Sequence, residues 1–228
     1  MAKQNVTPQE ASLGEAVSKT ESFFENNSKL IIGVLTAIVV VIAGWYCYDH
    51  FVIKANNAEA SKMIAEAQYR FEAANPDYEL ALNGDENGAG FLAVIDEYGS
   101  TPAGNLAKHY AGICYLHLGD LNAAADYLSK FSTVKGLPGE IINAQNYGLQ
   151  GDVAVELGDY AKAVNFYQKA VKASENSYTA PLYMRKQGLA LLAQGKTDEA
   201  TAVFHKLLST YPASSDAVEV QKLIGSEE

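Results

Sequence analysis

Three glycine-centred segments, YLHLGDLNAAADYL, VAVELGDYAKAVNFYQKAV and LALLAQGKTDEATAVFHKLL, constrain this chain more than any other feature. Aligned on Gly119, Gly158 and Gly195, they share a Gly seven residues upstream (Gly112, Gly151, Gly188) and an Ala five downstream (Ala124, Ala163, Ala200). A large apolar residue stands nine after each turn: Leu128, Tyr167 and Phe204. The turn Gly closes one helix so that another can open. Small residues on both sides let two antiparallel helices approach closely, and the large side chain fills the groove between them. The turns repeat at spacings of 39 and 37 residues, which predicts stacked helix pairs rather than a sheet or a single bundle.

That pattern resembles a tetratricopeptide array, whose period of about 34 residues is slightly shorter. The excess falls in inter-repeat loops such as VKGLPGE and SENSYTAP, and Pro212 stands where that family often ends a second helix. FLAVIDEYGSTPAG (Phe91 to Gly104) is similar to the second helix of the third repeat, FHKLLSTYPASS. A degenerate repeat is therefore expected from Ala58 to Tyr98, its first helix ending at Asn75-Pro76 and its overgrown turn being NGDENGAG, Asn83 to Gly90. Ser214 to Ile224 is expected to cap the array. Asn83, Asp85, Asn87 and Gly88 mimic the start of a calcium loop, but position twelve is Val94 where a bidentate Glu is needed, which favours a plain turn.

A second feature precedes the repeats. Between Lys29 and Asp49 lie 19 uncharged residues, enough for a helix to cross a hydrocarbon layer of about 30 Å. Leu30, Ile31, Ile32, Val34, Leu35, Ile38 and Val39 through Ile42 point all round such a helix, so it has no polar face. Trp45, Tyr46 and Tyr48 sit where an interfacial aromatic belt is expected. A cleaved signal peptide fits less well, because the run is long, starts late and lacks a small-x-small site. Lipidation at Cys47 is disfavoured by the bulky Tyr46 before it. The expectation is a permanent single-pass anchor. Orientation is not decided by charge, since Lys3, Lys19 and Lys29 balance Lys54, Lys62 and Arg70.

The tail from Gln9 to Asn26 places Leu13, Ala16, Val17, Thr20, Phe23 and Phe24 on one stripe and Glu10, Glu15, Glu21 and Glu25 on the other. An acidic face argues against attraction to anionic lipid; the tail is either a partner-binding helix or a short helix lying at the membrane. The domains expected are a tail at 1–28, a transmembrane helix at 29–49, a linker helix with the degenerate repeat at 50–104, and repeats with a capping helix at 105–228. The fold class is all-α, one N-terminal transmembrane helix followed by a tetratricopeptide α-solenoid.

Composition excludes several functions. Net charge is −10 and Arg70 and Arg185 are the only arginines, so no basic patch exists to neutralise phosphates and nucleic acid is an improbable partner. Cys47 lies in the anchor and Cys114 in the repeats, which gives no disulfide framework; Cys114, between Ile113 and Tyr115, reads as a small buried hydrophobe. No phosphate loop, nucleophile elbow, HExxH or paired-cysteine motif occurs, and the scattered carboxylates fall on helix surfaces. His109 and His117 share a face two turns apart, too far to clasp a metal without a third ligand, and His50 and His205 have no partners in sequence. No enzyme, cofactor or metal is expected.

In such arrays the first helix of each pair lines the concave face. Counting positions two, five, nine and thirteen of each repeat predicts Leu106, His109, Ile113 and His117 there, then Gln145, Asp152 and Glu156, then Leu182, Arg185 and Leu189. This mixture of apolar and charged groups suits an extended segment or a partner helix; the alternative is a solvated concavity that contacts nothing in particular.

The tail and anchor, VSKTESFFENNSKLIIGVLTAIVVVIAGWYCYDHFVIKA, resemble the YfgM family, ancillary subunits of the SecYEG translocon. The residues that carry the resemblance are Phe23-Phe24, Glu25-Asn26, Lys29, Gly33, Gly44-Trp45, Tyr48, His50, Val52 and Ala55. The resemblance implies a bacterial inner-membrane protein with a cytoplasmic N-terminus and a periplasmic repeat domain. It implies SecYEG and a PpiD-like periplasmic chaperone as partners and a non-catalytic role in handing exported chains to periplasmic chaperones; membrane or tail contacts by Phe23, Phe24, Trp45 and Tyr48 are expected from the tail stripe and the aromatic belt. Within the repeats the likeness is at repeat level only, and the NGDENGAG turn and acidic tail depart from the family. Two other readings share the architecture: a scaffold of another envelope secretion or cell-wall complex, and a stress regulator acting through the tail.

Overall fold

The computed structural model describes residues 8–225, with side chains described from Asn26 onward except for His50. The chain divides into two compact units between Ala55 and Asn56. In the first, helix α1 (Pro8–Tyr48) passes into a π-helical turn (Asp49–Ile53), after which α2 (Lys54–Phe71) begins. The helical backbone therefore continues past the apolar run without an intervening loop. Leu30, Val34, Ile38, Val41 and Trp45 are 47–70% exposed, and nothing approaches Gly33 or Gly44. Among the described residues this helix leaves large apolar side chains unburied on every face. By length and composition it qualifies as a membrane span, a test that a signal sequence near an N-terminus also passes.

The second unit is a succession of helix pairs. Helices α5 (Pro102–His117) and α6 (Leu121–Ser129), α7 (Leu137–Glu156) and α8 (Tyr160–Ala173), and α9 (Ala180–Ala193) and α10 (Thr197–Thr210) form the three repeats, and α11 (Ser215–Gly225) packs on α9 and α10. Each turn is built the same way. Gly119, Gly158 and Gly195 have φ of 81°, 75° and 75°, the left-handed region in which a Cβ is penalised. The glycine N–H donates to the carbonyl three residues back, and the next residue's N–H reaches five back: Asp120 to Tyr115 at 2.9 Å, Asp159 to Ala154 at 2.8 Å, Lys196 to Leu191 at 3.0 Å. In the first two repeats the Asp after the Gly also caps the following helix, accepting from Ala123 N–H and Lys162 N–H at 3.0 Å. Two residues thus end one helix and start the next.

The upstream glycines serve close packing. A Cβ on Gly112 would meet Leu128 Cγ at 2.5 Å, one on Gly151 would meet Tyr167 Cε1 at 2.5 Å, and one on Gly188 would run into the Phe204 ring. Ala124, Ala163 and Ala200 are completely buried opposite them.

The expected overgrown turn has more structure than a loop. Asp77 caps a short α3 (Tyr78–Asn83), and NGDENGAG forms a two-stranded antiparallel hairpin, β1 (Gly84–Asp85) with β2 (Gly88–Ala89), before α4 (Phe91–Tyr98). Arg70 on α2 clamps it, donating to Asp85 Oδ1 at 2.6 Å and to Gly88 O at 3.1 Å. Asp85 also accepts from Asn87 N–H, and this bond, with the Arg70 charge assisting, holds its carboxyl below the usual range. The carboxylate is therefore spent on the hairpin; among the described residues no group of three or more His, Cys, Asp or Glu is placed to hold a metal.

Candidate protein-binding groove

The first helices of the three pairs, α5, α7 and α9, together with the end of α2, surround a hollow of about 370 Å³. Its walls are Tyr110 and Ile113 from α5, Ile142, Gln145 and Leu149 from α7, Leu182 from α9 and the Phe71 ring from α2. Asp152 and Lys186 stand at its edge and also border a second hollow of about 580 Å³ with Leu116, Leu121, Val155 and Glu156. A third, of about 270 Å³, adds Tyr160 and Leu189. Together they form an apolar, aromatic furrow punctuated by one ion pair.

That ion pair is built into the repeats. Lys186 Nζ lies 2.8 and 2.7 Å from the two carboxylate oxygens of Asp152, and Tyr167 O–H donates to Asp152 Oδ1 at 2.7 Å. Burial, and then the Asp152 charge, raise the Tyr167 hydroxyl far above its ordinary value and push Tyr183 up to about 12. Both phenols stay protonated, and the Tyr167 bond leaves the carboxylate tied to the scaffold on one side.

Of the residues expected on the concave face, Ile113, Gln145, Asp152 and Leu182 come together in the first hollow, with His109 in its floor at only 3% exposure. Glu156 borders the second hollow and Leu189 the third. Leu106 is half-buried against the N-terminal core. His117 is exposed and stacks on Tyr78, ring centroids 4.1 Å apart. Arg185 is engaged with the capping helix, 2.6 Å from Asp216 and 3.3 Å from Glu219. Trp45 and Tyr48 are 67% and 54% exposed on the apolar helix; the Phe23 and Phe24 side chains lie outside the described residues. Sequence reasoning missed Tyr110, Tyr183 and Lys186. The neighbours Arg185 and Lys186 differ by about 100° of helix rotation, so Lys186 borders the hollows while Arg185 turns to the capping helix.

The tetratricopeptide repeat family profile matches residues 149–217, from the later part of α7 through the third repeat to the start of α11. A search of curated proteins finds no match. Among solved structures the chain is similar to "Crystal structure of MamA protein", with 20% identity, a TM-score of 0.42, and coverage of 71% of this chain and 88% of that one. A second structure, "Crystal structure of MamA", has 18% identity and a TM-score of 0.41, covering 76% of this chain and 95% of that one. The fold is a tetratricopeptide α-solenoid carrying one N-terminal apolar helix. Proteins of this class are scaffolds for protein–protein interaction and typically non-catalytic.

Proposed function

We propose that this chain is a membrane-anchored, non-catalytic scaffold associated with the SecYEG translocon, which helps hand exported chains to a PpiD-like periplasmic chaperone. In this reading residues 1–28 are cytoplasmic, 29–49 cross the inner membrane, and 50–228 lie in the periplasm as a linker helix, degenerate repeat and repeat array. The observation that carries it is the joining of an apolar helix with no buried face to a repeat array with an apolar furrow. The FFEN-to-GW pattern around the span supports the translocon as neighbour. Tethering raises effective concentration, so weak furrow contacts through Ile113, Gln145, Asp152 and Leu182, extended by Glu156 and Leu189, suffice for transient hand-over. Leu106, His109, His117 and Arg185 act in this reading by holding the furrow's walls, and Phe23, Phe24, Trp45 and Tyr48 by seating the tail and span.

Crosslinking in intact cells, followed by purification through a C-terminal tag and mass spectrometry, tests this. Recovery of SecY with a periplasmic prolyl isomerase or chaperone is expected. Consistent recovery of a different envelope complex without Sec components would overturn the translocon assignment and favour a scaffold of that complex.

A further inference from the structure

The repeat array is divided by the way its apolar side chains cluster. One core joins α2, α3, α4 and α5 around Ile64, Phe91 and Val94; another joins α7 through α11 around Tyr167, Tyr183 and Phe204. Between them lies only a small cluster of Ala124, Leu128 and Val153 with half-buried neighbours. The cause is local: α6 has nine residues where α8 and α10 have fourteen, so it offers little surface to α7.

Polar side chains stitch this seam. Asn105 on α5 makes two bonds to the backbone of Ser132, donating at 2.7 Å and accepting at 2.8 Å. Asn143 on α7 does the same with Val134, at 2.8 and 2.9 Å. Directly across the seam, Asn146 Nδ2 lies 3.2 Å from Nδ1 of His109. Gln150 donates to Asn146 Oδ1 at 2.7 Å, which occupies the amide oxygen and leaves the amide N–H facing the imidazole. With Nδ2 of Asn146 turned to it, Nδ1 accepts when it is bare. The ring also meets Phe131 and Tyr110, with centroids 5.7 and 5.8 Å away. The ionisable groups turned to the same hollow are Tyr110 on α5, Asp152 on α7, and Tyr183 and Lys186 on α9, of which Asp152 and Lys186 are paired with each other. None of them neutralises a cation at His109.

We propose that this seam is a proton-operated hinge: a proton on Nδ1 of His109 sets N–H against N–H, breaks the direct α5–α7 bond and loosens the two halves of the array about Leu128 and Val153. The furrow is walled from both sides of the seam, so the hinge sets its width whatever occupies it. The direction of the linkage follows from burial, which lowers His109 from 6.5 to about 4. The closed state is fully favoured above 6.5 and loses ground as pH falls toward 4. The opening constant rises by up to tenfold per pH unit, at most about 300-fold across the window.

Thiol trapping in the full-length chain tests the hinge, with Cys47→Ser and Cys114→Ala as background and a disulfide reagent active in acid. Val153→Cys reports the seam and Met184→Cys the α8–α9 contact, each rate normalised to an unstructured thiol peptide at the same pH. The expected result is a trapping rate that climbs between pH 7 and 4 at Val153→Cys, stays level at Met184→Cys, and becomes flat at both when His109→Gln is added. A level rate at Val153→Cys, an equal rise at both positions, or a rise that survives His109→Gln would overturn the hinge. In the chain without substitutions, His109 followed by NMR is expected to titrate below its ordinary 6.5, between that and about 4; titration at 6.5 or above would overturn it as well.

Discussion

The two junctions between repeats use the same two positions with opposite chemistry. Ten residues before the turn glycine stand His109 in the first repeat and Gly148 in the second; twelve before it, in the repeats that follow, stand Asn146 and Tyr183. At the first junction the pair is an imidazole and an amide joined by a hydrogen bond. At the second it is a phenol ring laid on a glycine, so close that a Cβ on Gly148 would collide with the ring. A hydrogen bond contributes about 1 kcal/mol net and depends on protonation, whereas burying an aromatic ring contributes several times that and does not. One backbone geometry thus gives a firm joint and a conditional one.

Substitutions separate the two joints. The largest effect is expected for Tyr183→Ala, which leaves a ring-sized void at the second joint and should cost about 3–5 kcal/mol in urea unfolding. Gly148→Val attacks the same joint from the other side by overpacking, at about 1–3 kcal/mol, and the Tyr183→Ala background should relieve much of it in a double-mutant cycle. At the first joint Asn105→Ala removes both bonds to Ser132 and is expected to cost about 1–2 kcal/mol. The smallest effect concerns the turns, where the third repeat lacks the side-chain cap that Asp120 and Asp159 supply. Lys196→Asp should restore it and raise the melting midpoint, gaining up to about 1 kcal/mol.

Much of this fold is legible because its determinants are local. A Gly-Asp turn needs a left-handed backbone and a capping oxygen within two residues, and Gly112, Gly151 and Gly188 mark the contact with the large residue sixteen positions on. The apolar helix is legible by its lack of a polar face. Other features depend on partners remote in sequence. Arg70 holds a hairpin fifteen or more residues away, so NGDENGAG reads by itself as a loop. The stitches of Asn105 and His109 span 27 and 37 residues, and nothing near either residue announces them. The furrow was half legible: repeat spacing finds Ile113, Gln145, Asp152 and Leu182, but choosing Lys186 over Arg185 requires knowing that Asp216 on the capping helix takes Arg185.

The claim that the concave furrow is the binding surface is tested most directly by a photo-crosslinking amino acid placed in living cells at Gln145, exposed on the concave side of α7, and at Gln168, exposed on α8. The account predicts protein adducts from Gln145 that diminish with Ile113→Asp, and none from Gln168. Equal adducts from both positions, or adducts from Gln168 alone, would contradict it.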